Sequence, residues 1–213
     1  MKPDGVGSLK VGNDCGLPYV CANIFGFGMR NICFLICFLC LGSQAHAQSK
    51  LAKQRIGKDI EVKVPVAFTQ FTPSEVVGRY LSNSTPLAVY GDEQRTVDFS
   101  ISSNDTRWKA ADAVILKDFY KSTILSQYTK VTFEQEGLKE INGQQFIVFE
   151  FQSALTDDKP NIIGQVPVIR KYTYLLYALK DGKQYVFNFN SPAQDRERWK
   201  STAAKMMQSI KLL

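Results

Sequence analysis

Carboxylates are the groups in this chain whose spacing best suits chemistry. Glu134 and Glu136 lie two residues apart in a stretch patterned as a strand by Val131 and Phe133. On one strand face they could resemble the acid and base pair of a glycosidase. Glu150 interrupts the apolar run Phe146-Ile147-Val148-Phe149 and Phe151, where a carboxylate needs a raised pKa or a charged partner. Asp157-Asp158 offers oxygen ligands to a hard cation such as calcium, but no alternation of ligands continues through Lys159-Pro160-Asn161. Each has a plainer reading: solvent-facing strand positions, a strand end or structural ion pair, and a solvated loop. The plainer reading is preferred in all three, so no catalytic residue and no metal site is expected.

The remaining chemistry is limited by where the cysteines and the histidine fall. Cys15, Cys21, Cys33, Cys37, Cys40 and His46 all precede Ala47. A chain processed there has no Ser-His or Cys-His nucleophile, no thiolate or imidazole ligand and no disulfide. Nor does it contain a P-loop, a dinucleotide fingerprint or a nucleophile elbow. No cofactor and no enzymatic activity are expected.

Processing at that point is what the sequence predicts. Met29-Arg30-Asn31 is a short basic start, and Ile32 to Leu41 is an unbroken apolar run too short to span a bilayer. Ala45-His46-Ala47 supplies small residues at the −3 and −1 positions of a signal-peptidase site. Residues 29–47 read as a signal peptide and 1–28 as an upstream extension or mis-assigned start, with Met29 the true beginning. Leu39 before Cys40 makes a poor lipoprotein box. The product, periplasmic or secreted, spans 48–213 and carries 23 Lys and Arg against 18 Asp and Glu. Export argues against a nucleic-acid partner. Asn83-Ser84-Thr85 and Asn104-Asp105-Thr106 are sequons that matter only in a eukaryotic secretory pathway.

Residues 48–59 read as a basic linker whose Lys50, Lys53, Arg55 and Lys58 could touch anionic lipid or an acidic partner, or form a solvated tail. A single domain over 60–213 follows. Ile60, Val62 and Val64 alternate with polar residues in a strand closed by Pro65. Thr72-Pro73-Ser74-Glu75 opens a short helix to about Leu81. Strands follow over Leu87–Tyr90 and Val97–Ile101. A helix capped by Asn104 or Asp105 and running to about Gln127 should bury Trp108, Ala111, Ile115 and Phe119, with Lys109, Lys117 and Lys121 in solvent. Asn142-Gly143 is a strong hairpin signal. Strands follow it at once and over about Val168–Leu179, and another carries Tyr185, Phe187 and Phe189. Ser191-Pro192-Ala193-Gln194 reads as a cap launching a last helix that buries Trp199, Ala203, Met206 and Ile210. The fold class is α+β: one antiparallel sheet of about six strands with helices on both faces.

The connection from Ser153 to Pro167 is longer than a hairpin needs, and such loops are often functional. Ile162 and Ile163, with Arg170-Lys171 close behind, would suit a protein partner if exposed; the alternative is that both Ile tuck onto the sheet or form a short edge strand. Tyr172, Tyr174 and Tyr177 read as sheet packing.

Several phrases resemble the PsbP-like superfamily. These are Ile60-Glu61-Val62-Lys63-Val64-Pro65 leading to Phe71, Leu87-Ala88-Val89-Tyr90, and Ser191-Pro192 through Arg198-Trp199 to Met207-Gln208-Ser209-Ile210-Lys211. That superfamily is named for an extrinsic subunit of photosystem II and includes a Ran-binding nuclear import protein and bacterial envelope proteins. The resemblance, over about 60–212, implies an α-β-α sandwich that binds proteins and mostly lacks enzymatic activity. It transfers no functional residue. Any His-based metal site is excluded beyond Ala47, and the acidic surface associated with Ran binding has no recognisable counterpart. The functional expectation is an exported, non-enzymatic module that contacts an envelope protein. The alternative is a carrier holding a small apolar ligand or lipid against the aromatic-rich sheet.

Overall fold

In the computed structural model, residues 50–80, 85–156 and 168–213 are described. They fall within one compact unit, Ala47–Leu213. Residues 29–47, read as a signal peptide, Asn83 and the pair Asp157-Asp158 lie outside the described residues.

Alternating apolar residues produce ten strands: β1 (Leu51–Ile56), β2 (Ile60–Pro65), β3 (Thr69–Gln70), β4 (Ala88–Gly91), β5 (Asp98–Asp105), β6 (Lys130–Ile141), β7 (Gln144–Thr156), β8 (Val168–Lys180), β9 (Lys183–Pro192) and β10 (Lys211–Leu212). Among the described residues three α-helices join them: α1 (Pro73–Arg79), α2 (Ala113–Gln127) and α3 (Arg196–Gln208). Seven strands form the main sheet in the order β3-β4-β5-β9-β8-β7-β6, and β1-β2-β10 make a second, smaller one. All pairings are antiparallel. The expected α-β-α sandwich is the fold.

The pleat sorts the core into two layers. On one face Phe99, Phe146, Phe187 and Phe189 meet Trp199 and Met206 of α3 and Ile60, Val62 and Val64 of β2. On the other, Ile147, Phe149, Phe151 and Leu175 meet Ala113, Leu116 and Ile124 of α2. The α1 side, with Phe71, Val76 and Val89, forms a third, smaller cluster.

Local signals explain much of this. Thr72 and Glu75 close a reciprocal capping box with Pro73 at the first helical position. The turn joining β6 to β7 needs two residues in the left-handed region, and Asn142 (φ 50°) and Gly143 (φ 79°) supply them. Asn142 Nδ2 also donates to the carbonyl of Ile210 at 2.7 Å.

Three expectations are corrected. Residues 51–56 are not linker: β1 pairs with β2 from Leu51↔Pro65 to Ile56↔Ile60. The mid-chain helix starts later and is rotated, because β5 runs on through Asp105. Its sheet-facing residues are Ala113, Leu116, Tyr120 and Ile124, while Trp108, Ile115 and Phe119 are exposed. This helix is apolar on both sides, so period alone could not choose its inner stripe. Finally, Ser191 does not cap α3. β9 continues through Pro192, and a 3-10 turn over Ala193–Asp195 intervenes before the helix.

Candidate partner-binding face

β7 and β8 overshoot the sheet. Lys130↔Ala154 is the outermost pair with β6, and Lys171↔Pro192 the outermost with β9. Beyond them Leu155↔Ile169 and Thr156↔Val168 meet no third strand among the described residues, though the Thr156 N–H still donates to Thr129 Oγ1 at 3.0 Å. Among the described residues neither β6 nor β9 reaches Leu155, Val168 and Ile169, which are 44%, 44% and 56% exposed. Strand chemistry favours these β-branched and aliphatic residues, but here no core receives them.

Arg170 and Lys171 flank this apolar end, both exposed. Strand alternation separates them, since neighbours on a strand point to opposite faces. Arg170 lies on the α3 side, in a row with Ala154 and Lys130. There it lines a cleft of about 200 Å³ with Lys130, Thr132, Gln152 and Ala193. Lys171 lies on the opposite side, close enough to Asp98 to oppose the rise of its pKa. Ile162 and Ile163 lie outside the described residues, on the connection between these two strands.

Next to the cleft, α3 is clamped to the sheet by charge. A bulge between Phe133 and Gln135 leaves Glu134 as the extra residue of β6. Its carboxylate accepts from the Arg196 guanidinium through both oxygens. Lys200 Nζ and Gln152 Nε2 add bonds of 2.7 and 3.0 Å. The Arg196 contact, helped by Lys200 and Gln152, holds the Glu134 carboxyl down at about 2. Glu150, buried, accepts from Tyr172 Oη at 2.9 Å and stands 3.8 Å from Lys200. Burial, with Glu150 beside it, pushes the Tyr172 hydroxyl far above its usual range and the Tyr174 hydroxyl up to about 12.

This cluster is a structural ion-pair network. The acid pair is not assembled: the bulge sends Glu134 toward α3, while Glu136 faces α2 and bonds Lys121 at 2.7 Å. Every charge at Glu134 is already committed to a partner. Among the described residues no group of three or more His, Cys, Asp or Glu could hold a metal ion. The tyrosines divide as a sheet requires. Tyr172 and Tyr174 are buried in the α3 layer, and Tyr177 stacks on Tyr120 at 4.1 Å in the α2 layer. The rings proposed as a ligand pocket pack on one another, as Phe146 does on Phe187 and Phe189 on Trp199.

A second buried carboxyl lies across the sheet. Asp98 accepts from Tyr80 Oη at 3.1 Å and Asn190 Nδ2 at 3.2 Å. Burial nevertheless raises its pKa above the ordinary aspartate value.

Together these features define a class: an α-β-α sandwich with a filled core, a charge-clamped helix and an overshooting strand pair. Among solved structures it is similar to cyanobacterial PsbP from Synechocystis sp. PCC 6803, with TM-score 0.55, 16% identity, and 82% of this chain and 99% of that one covered. It is also similar to the Ran-binding protein Mog1p of Saccharomyces cerevisiae, with TM-score 0.49, 14% identity, and 77% and 96% covered. A third is LpqN of Mycobacterium tuberculosis, described as involved in cell envelope biogenesis, with TM-score 0.43, 8% identity, and 76% and 90% covered. The likeness to cyanobacterial PsbP establishes a PsbP-like fold. No protein-family model matches the chain, and no curated protein matches its sequence.

Proposed function

We propose that this chain is an exported, non-enzymatic protein-binding module of the cell envelope. Its contact surface is the free end of the β7–β8 pair, from Leu155 and Val168 to Lys171, together with Ile162 and Ile163 on the connection. The observation carrying this reading is the Leu155↔Ile169 pair, held in a sheet yet exposed and flanked by two cations. Exposed aliphatic residues beside basic ones suit an interface with an apolar centre and an acidic rim. A strand pair already in register also presents them with less ordering cost than a loop would. The filled aromatic layers and the absence of an assembled acid pair agree with a binding rather than a catalytic role. The resemblance to a superfamily of binding proteins, and the signal-like segment 29–47, point the same way.

The test is crosslinking and pull-down of the tagged protein from its own envelope. One reproducible partner should be captured by the parent. Its yield should fall roughly tenfold or more in Leu155→Asp/Ile169→Asp and in Ile162→Asp/Ile163→Asp, as loss of a central contact implies. Unchanged capture by both variants refutes the surface.

A further inference from the structure

The geometry points to the outer face of the β1-β2-β10 sheet as a docking surface for an anionic lipid bilayer. Ile60, Val62 and Val64 turn inward to the core, so Glu61 and Lys63 of β2 face outward. The register adds Lys53, opposite Lys63, and Arg55 and Lys211, which sit on either side of Glu61. Lys53, Arg55, Lys63 and Lys211 are all exposed, and Lys50 and Lys58 stand exposed just beyond the ends of β1.

A sheet built for stability alone would not place Lys53 directly across from Lys63, because like charges at paired positions repel. The one acid on this face does not balance the cations. Glu61 bonds Lys53 at 2.7 Å; Arg55 and Lys211 share that same carboxylate as a neighbour without a direct ion pair, and Lys63 has no acidic partner among the described residues. The Lys53 bond, with Arg55 and Lys211 nearby, holds the Glu61 carboxyl below its usual range. An excess of positive charge converges on one short, open surface.

The character of that surface selects the partner. Protein interfaces are anchored by apolar or aromatic side chains at their centre. No large apolar residue within β1, β2 or β10 is exposed, and only Val66 and Leu213, just past the ends of β2 and β10, bring exposed apolar surface to the rim of this face. Cations spread over three strands, with exposed apolar residues at the rim and none at the centre, suit a diffuse anionic plane, whose attraction decays within a Debye length. Near such a surface each Lys or Arg strengthens binding roughly fivefold. The face would hold the module at the membrane and leave the β7–β8 end to its partner.

The experiment expresses the chain in full, purifies the processed product and measures sedimentation with phosphatidylcholine vesicles containing about 30% phosphatidylglycerol. Two variants carry equal charge loss: Lys53→Gln/Arg55→Gln/Lys63→Gln/Lys211→Gln on this face, and Arg107→Gln/Lys109→Gln/Lys117→Gln/Lys121→Gln on and ahead of α2. The face variant should bind roughly a hundredfold more weakly or worse, and the control should stay within about threefold. Arg55→Gln/Lys211→Gln, a milder pair, should lose roughly twentyfold. Parent binding should vanish between about 0.05 M and about 0.5 M salt. Equal loss in face and control variants overturns the proposal, as does equal parent binding to pure phosphatidylcholine. So does no parent binding to the anionic vesicles at low salt, including the case where an acidic protein binds this face instead.

Discussion

Replacing Glu134 by Gln tests the clamp that holds α3. In the folded protein Arg196, Lys200 and Gln152 converge on this carboxylate, which is only 13% exposed, and hold its pKa at about 2 against an ordinary 4.5. A depressed folded-state pKa means the carboxylate stabilises the fold above the unfolded-state value. That contribution is lost as pH falls from about 4.5 through about 2. The full shift would correspond to roughly 3 kcal/mol, and screening at a site near the surface reduces this to about 2 kcal/mol. Gln keeps the size and one acceptor but takes the shared carboxylate from Arg196 and Lys200, leaving Arg196 to exposed Glu197 and Lys200 to Glu150 at 3.8 Å. For a domain of this size that is a fall of about 4–8 °C in melting temperature near pH 7. The assay is thermal unfolding by circular dichroism of parent and Glu134→Gln from pH 7 to about pH 2.5, where protonation of the parent should narrow the gap. A Glu134→Gln melting curve superimposed on the parent at pH 7 would refute the reasoning. So would a gap as wide at the acid end as at neutrality.

Two further predictions concern stability. Asp98 has the opposite sign: burial raises its folded-state pKa, so its contribution is favourable at low pH and lost as pH rises through the folded value. Asp98→Asn should therefore melt above the parent at pH 7, with the difference closing in acid, and a lower melting point at pH 7 would contradict this. Gly91→Ala should cost roughly 1–3 kcal/mol, read by urea denaturation. A Cβ there would sit 2.5 Å from Phe71 Cε1 and 2.7 Å from the Val97 carbonyl, and only one of those can move easily.

Legibility followed locality. The α1 cap at Thr72, the Asn142-Gly143 turn and the alternation through β2, β8 and β9 are encoded within a few residues, and each forms where the pattern places it. The inner stripe of α3, from Trp199 through Ala203 to Met206, was equally readable. Features set by distant parts of the chain were not. β1 looked like a basic tail because its partner Ile60–Pro65 must be in place before a strand there has meaning. The stripe of α2 could not be chosen from a helix apolar all round; the sheet chose Leu116 over Ile115. The bulge that separates Glu134 from Glu136 left no mark in composition. Of the proposed contact surface, Arg170 and Lys171 were legible as basic residues. The exposed Leu155, Val168 and Ile169 were not, because exposure depends on β6 and β9 ending sooner.

The small sheet also sets an order of events. β2 pairs on one side with β1, a few residues earlier, and on the other with β10, through Glu61↔Lys211 and Ile60↔Leu212. A chain made from its amino end must hold β2 unpaired on that flank until the main sheet and α3 have been synthesised. At ribosomal speed that is a wait of roughly ten to thirty seconds. The same long closure lowers the rate at which the finished chain can fold. The small sheet therefore closes last, once α3 has brought Lys211 and Leu212 alongside β2.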